Sequence, residues 1–284
     1  MKNLLAVVGD GNATPVLEAA LLTARRFGSH IVGLHSLTTE YAVVFGGEMG
    51  FSISSEVDRT LEREGHDRRD HARRLFHDFM AAKGVPIDPM PLAHNGPSAS
   101  WREEDGRQHA VVGMIGRVFD LILVEQPEKL ASIAEATLED ALFESGRPIL
   151  MVPKRIPQTI GEVVAIAWNG STETALTVAV GMPFIRQARQ VVVIAAGAQN
   201  MPEPGPEGDE MARSLENYGV AVSLRTAVGR QKAQGESFMR EAVAVGADLL
   251  LKGAYTQSRI RQMIFGGATR HIIMEANLPV LMAR

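Results

Sequence analysis

The chain has 284 residues, 45% of them hydrophobic and 22% charged, with a formal net charge of −4 and no cysteine. That composition excludes a disordered chain, and the length corresponds to roughly two domains, each able to bury its own core. The mild acidity argues against a nucleic-acid or anionic-membrane surface, and the lack of cysteine excludes disulfides, thiolate catalysis and cysteine-based metal sites.

Residues 4–8 form an apolar run that is too short for a secretory h-region and is closed by Gly9-Asp10-Gly11. They read as a first strand. Further strands are expected near 31–36, 87–93, 120–124 and 148–152, then near 162–168, 190–196, 221–227, 248–252 and 279–282. The runs are rich in Val, Ile and Leu with little alternation, as in strands covered on both faces. Helical patterns separate them, which argues for parallel βαβ units. Thr14-Pro15 reads as a helix cap followed by proline at the first helical position. Residues 58–83 carry many charges around an apolar stripe of Leu61, Ala72, Leu75, Phe76 and Phe79, the pattern of a solvated amphipathic helix. His66, His71 and His77 on that helix are spaced by five and six residues, not the four that put two ligands on one face. Residues 154–161 read as a linker, and 200–208, with three prolines and two glycines, as a loop. No run approaches the roughly 20 apolar residues of a membrane span, so a soluble cytoplasmic protein is expected.

The two halves repeat one unit. Gly11 corresponds to Gly170, Leu17 to Leu176 and Val32 to Val191, at an offset of 159. Toward the ends of the halves, Asp120-Leu121-Ile122-Leu123 resembles Asp248-Leu249-Leu250-Leu251, and Pro148 matches Pro279 at an offset of 131. The first copy is therefore 28 residues longer, with the excess falling largely between Thr38 and Arg59 and in the helix that follows.

In an open parallel sheet, ligands bind beyond the carboxyl ends of the strands. Gly9-x-Gly11 lacks the third glycine of a dinucleotide fingerprint, and the second strand ends without a ribose-binding acid, so a nicotinamide cofactor is set aside. No nucleophile elbow, P-loop or paired carboxylate motif is present, so no enzyme activity is expected. The strongest signal lies between Lys252 and Thr269. Gly253 opens a loop, and Gly266-Gly267 start the last helix. Glycines at a helix start let backbone N–H groups approach an anion, and the helix dipole favours it; they also serve simply as a tight entry turn. Thr269 adds a hydroxyl, Arg259, Arg261 or Arg270 a counter-charge, and Trp168 and Tyr255 flank the place.

This segment resembles the fingerprint Gly-x2-Gly-x9-Gly-[Ser/Thr] of the universal stress protein family (UspA-like). Gly253 and Gly266 stand at its first and third glycines, while Thr256 and Gly267 replace the second glycine and the Ser/Thr. The resemblance covers both copies and implies a tandem protein. The fold expected is α/β: two tandem open-sheet domains, residues 1–153 and 162–284, each a five-stranded parallel sheet flanked by helices (Rossmann-like, adenine nucleotide alpha hydrolase-like). It implies a stress-response role and an adenine nucleotide, ATP with Mg as its companion, in the second domain. The residues so implicated are Ala167, Trp168, Asn169, Ser171, Ala196, Gly253, Thr256, Arg259, Gly266, Gly267, Ala268 and Thr269. Asn169 stands where ATP-binding members carry an acid. In the first copy Glu125 and Glu128 stand where phosphates would lie, so that half is expected to bind no nucleotide. The alternative is a non-nucleotide scaffold or interaction module of the same fold; a third reading makes the insert at 45–55 the lid of a small-ligand site. An intramolecular pseudo-dimer is expected, with a homodimer of whole chains left open.

Overall fold

A computed structural model of the chain describes residues 1–9, 11–37, 55–87, 96–197, 205–228, 234–254 and 267–284. The first half runs β1 (Asn3–Val7), α1 (Thr14–Phe27), β2 (His30–Leu37), α2 (Ser55–Ala82), β3 (Ser98–Asp105), α3 (Gln108–Ile115), β4 (Leu121–Glu125), α4 (Ile133–Glu144) and β5 (Ile149–Val152). The second runs β6 (Val163–Trp168), α5 (Thr172–Gln187), β7 (Gln190–Ala196), α6 (Gly208–Glu216), β8 (Val222–Ala227), α7 (Gln234–Ala244), β9 (Leu249–Leu251), α8 (Gly267–Glu275) and β10 (Val280–Met282). The insert at 45–55 falls almost wholly outside the described residues.

Each half is a parallel sheet, in the order β3-β2-β1-β4-β5 and its repeat β8-β7-β6-β9-β10. The two sheets join edge to edge. β5 pairs antiparallel with β10, Leu150 opposite Leu281, giving one ten-stranded sheet. Leu150 and Leu281 are the same position of the repeat, at the offset of 131, so the seam is self-complementary, as in a two-fold dimer. Strand pairing also corrects the other offset: Leu4 and Ile31 stand where Val164 and Val191 do, at 160 rather than 159.

The central strands are buried throughout and feed two apolar layers. One face carries α1, α2, α5 and α6 through Leu17, Phe76, Phe184 and Leu215. The other carries α3, α4, α7 and α8 through Val112, Leu138, Phe238 and Ile272. Helices cross the seam on both faces. Phe27 of α1 meets Phe184 of α5 edge-on at 4.9 Å, and Arg26 reaches Glu162 at 2.6 Å. On the opposite face Gln126 donates to the Ile273 carbonyl, and Arg284 lies 4.2 Å over the Phe143 ring.

Two expectations change. The third strand is Ser98–Asp105 rather than 87–93. Ile87 makes an isolated bridge to Ala99, and 88–95 lie outside the described residues. The segment 86–91 contains three prolines, which cannot donate to a ladder. Beyond that bridge the true strand pairs, among the described residues, only with β2, and its end tolerates Arg102, Glu103, Glu104 and Asp105. The start of α1 is also shifted: Thr14 lies inside the helix, and the Asn12 side chain accepts its N–H at 3.2 Å.

The paired motifs Asp120-Leu121 and Asp248-Leu249 do the same work in each half. Asp120 accepts the backbone N–H groups of Lys2 and Asn3. Asp248 accepts those of Gly161, Glu162 and Val163, and the Thr159 hydroxyl. Each carboxylate thus ties the entry of its half's first strand to the fourth strand, at the amino ends of the strands and away from any ligand crevice.

Candidate functional site

Each half's chain leaves its first strand toward one side of the sheet and its fourth toward the other, so a crevice opens between β6 and β9, and again between β1 and β4. In the second half Ala167 and Trp168 end β6, and Ala196 ends β7 beside them. Trp168 is only 3% exposed, and its indole N–H donates to the Pro206 carbonyl at 2.9 Å. The segment returning from β7 therefore closes over this corner: a β-carbon at Gly205 would stand 2.6 Å from the Gly170 carbonyl oxygen.

Asn169, Ser171 and Thr174 form a buried knot at the start of α5. The Asn169 side-chain oxygen accepts from the Ser171 hydroxyl at 2.9 Å and the Thr174 hydroxyl at 2.6 Å. Ser171 caps the helix by accepting the Thr174 N–H. The Asn169 oxygen is thereby committed inward, away from any metal ion or ribose.

Gly253 meets this knot from β9. A β-carbon there would lie 2.4 Å from the Thr174 nitrogen and 2.6 Å from the Glu173 carbonyl carbon, so only glycine fits. Beside it is a residue that the sequence reading used only as a strand end. Lys252 is 3% exposed, and its ammonium donates to the Gly253 carbonyl at 2.6 Å. Burial pushes its pKa down to about 8, partly offset by the Glu173 carboxylate. Its single-residue signal was a lysine directly after three leucines of a central strand.

Gly267 begins α8 as expected, followed by Ala268 and the buried Thr269. Ala268 packs under α7, where a β-carbon at Gly235 would meet its carbonyl oxygen at 2.5 Å. Thr256, Arg259 and Gly266, with Tyr255 and Arg261, lie outside the described residues. The described residues thus bring Asn169, Ser171, Thr174 and Gly253 together at the start of α5 with Lys252 beside them, while Ala167, Trp168 and Ala196 lie at the ends of β6 and β7.

The corresponding crevice of the first half is differently built. Ser132 caps α4 by accepting the Glu135 N–H at 3.2 Å, and the buried Glu135 carboxylate accepts the Ala131 N–H. Ala131 holds a positive φ of 54° to make that contact. The positive end of this helix already has an anion, supplied by the chain itself. Glu125 adds a second acid at the end of β4.

Among the described residues no group of three or more His, Asp or Glu is placed to hold a metal ion. Of the scattered histidines, His35 bonds the Val8 carbonyl and His109 faces Asp140 at 2.8 Å. No described helix is long and apolar enough to cross a membrane.

No protein-family model matches the chain. It is 26% identical over 172 residues to the universal stress protein Slr1230 of Synechocystis, and that match covers 58% of each protein. The chain thus spans little more than half the length of this curated relative. It is 22% identical over 157 residues to the stress response protein NhaX of Bacillus subtilis, covering 50% of this chain and 92% of that one. The fold superimposes on the crystal structure of a universal stress protein from Archaeoglobus fulgidus with a TM-score of 0.70 at 14% identity, covering 99% of this chain and 96% of the other. The chain has the universal stress protein fold.

Proposed function

We propose that the chain is a tandem universal stress protein with a role in the stress response, that residues 1–153 and 162–284 are its two domains, and that the second holds ATP or a related adenine nucleotide without efficient turnover. The observation that carries this reading is the crevice between β6 and β9. There a buried ammonium, Lys252, sits beside Gly253 at a helix start, in a chain whose last helix also opens on glycine. An anion placed there would offset the cost of burying that charge. The relatives' names point to the same stress-response setting.

The base would lie along Ala167, Trp168, Asn169 and Ala196, with Ser171 beside it, and the phosphates toward Gly253, Thr256, Arg259, Gly266, Gly267, Ala268 and Thr269. With the Asn169 oxygen committed to Ser171 and Thr174, Mg would enter only on the nucleotide's phosphates. The sequence carries no nucleophile elbow, P-loop or paired-carboxylate motif, which supports binding rather than hydrolysis as the output. In the first domain the helix end is satisfied by Glu135 and flanked by Glu125, which supports a half that takes no nucleotide. Calorimetry of the intact chain with ATP tests the reading: saturable binding that Gly266→Asp abolishes is expected, and unchanged binding by that variant rejects the site.

A scaffold without nucleotide is the second reading. The inward turn of Asn169 and the packed indole of Trp168 favour it. Mass spectrometry of the native purified protein separates the two, since co-purified nucleotide supports only the first.

A further inference from the structure

The crevice of the first half is an open cleft of about 770 Å³ between α1 and α4, beyond the carboxyl ends of β4 and β5. That is the size of an ordinary small-molecule site. Its buried lining is apolar, from Val16, Val152 and Pro153. Ile133, also in the lining, is 46% exposed, and Leu130, between the lining residues Lys129 and Ala131, is 41% exposed. Two large apolar side chains thus stand in water at the cleft, and an occupant that covers them is favoured by the area it removes from solvent. The charges of the lining cancel. Glu125 and Glu128 stand against Lys129 and Lys154, all of them exposed. Lys154 pairs with Glu128 at 2.8 Å, and Lys129 acts on the same carboxylate. A charged ligand therefore meets no net counter-charge, and it loses hydration over the apolar residues. The half-buried polar groups of the lining, Gln126 and Ser132, are uncharged. The Gln126 amide donates to the Ile273 carbonyl, and the Ser132 hydroxyl accepts the Glu135 N–H. A hydroxyl that accepts one hydrogen bond still has a proton to donate and a second lone pair.

We propose that the first half binds an uncharged, largely apolar organic molecule with a single hydrogen-bonding group, in the cleft between α1 and α4. The apolar body rests on Val16, Ile133 and Val152, and the polar group meets the Ser132 hydroxyl at the start of α4. This half then keeps a ligand site at the place where the second half is read as taking an anion, but for a neutral molecule.

The test is fluorescence titration of the full chain with phenylnaphthylamine, which is uncharged. Its sulfonate, anilinonaphthalenesulfonate, and the amine naphthylethylenediamine serve as the anionic and cationic counterparts. Saturable binding of phenylnaphthylamine is expected, with both charged probes weaker by roughly tenfold or more. Ile133→Trp, which fills the cleft from an exposed position, removes the binding, and Ile133→Glu, which sets a carboxylate in the apolar wall, weakens it by a similar factor. Both variants change an exposed side chain and keep the parent's melting temperature and its response to ATP, so failure here is distinguishable from failure of the nucleotide reading. Absence of saturable phenylnaphthylamine binding, a charged probe that binds as tightly, or affinity unchanged in both variants overturns the proposal.

Discussion

Among the described residues Lys252 is a lysine whose charge is held in the interior. Its pKa falls from 10.5 in the unfolded chain to about 8 in the folded one, so at pH 7 holding it charged in the interior costs about 3 kcal/mol. Between those values the unfolded chain binds more protons than the folded one, so stability rises with pH from about 8 to 10.5. Lys252→Met is expected to stabilise the protein at pH 7 by an amount of that order and to flatten the rise. Chemical denaturation at pH 7 and pH 10 reads both effects; a parent whose stability does not rise over that interval contradicts the assignment. If the crevice holds an anion, the same substitution weakens nucleotide binding while strengthening the fold, which separates a ligand-facing charge from a purely structural one. Asp248 has the opposite character. It gathers three backbone N–H groups and a hydroxyl, so Asp248→Ala should lose about 3 kcal/mol and leave any ligand affinity unchanged.

At the scale of elements, the amino ends of the helices decide what each crevice accepts. α4 is closed by its own glutamate, α5 by the Asn169–Ser171–Thr174 knot, and α8 opens on Gly267 with no acid in its first turn. Glu135→Gln should remove the built-in anion of α4 while its amide oxygen still accepts the Ala131 N–H, costing about 0.5 kcal/mol through the lost charge at the helix end; thermal unfolding measures it, and an unchanged melting temperature would show that this charge contributes nothing. Most of these elements were readable from residues alone, because central strands such as Val163–Trp168 must be apolar on both faces. The edge strand Ser98–Asp105 was not, since one neighbour and a solvated side permit a run of charges that resembles a loop. Of the crevice, Gly253 was legible as a sequence signal, and Ser171 was picked out for a ligand although its hydroxyl serves as the helix cap. The ammonium of Lys252 was not, because its burial depends on the packing of β9, which no local pattern encodes. Nor was the inward turn of Asn169, which depends on two hydroxyls meeting it from the next helix turn.

Across the whole molecule, the antiparallel seam at Leu150 and Leu281 turns two half-sheets into one and buries both edge strands that a separate half would expose. Phe27 and Phe184 back it on one face, and Arg284 on Phe143 backs it on the other. Phe184→Ala should therefore cost about 3–5 kcal/mol and weaken the joining of the halves as well as the core. Urea unfolding with separate probes in each half checks this: the variant is expected to split a single transition into two, and a single undiminished transition would count against the seam as a source of cooperativity. With the halves joined, the two crevices are equivalent in topology but differently built, one with a glutamate bound at its helix end and the other with a buried lysine beside a glycine, and the account stands on that inequality. Titration of the intact chain with ATP measures it most directly. One nucleotide per chain is predicted, lost in Gly266→Asp and kept in Glu125→Gln; two per chain, none, or one that Glu125→Gln abolishes would contradict it.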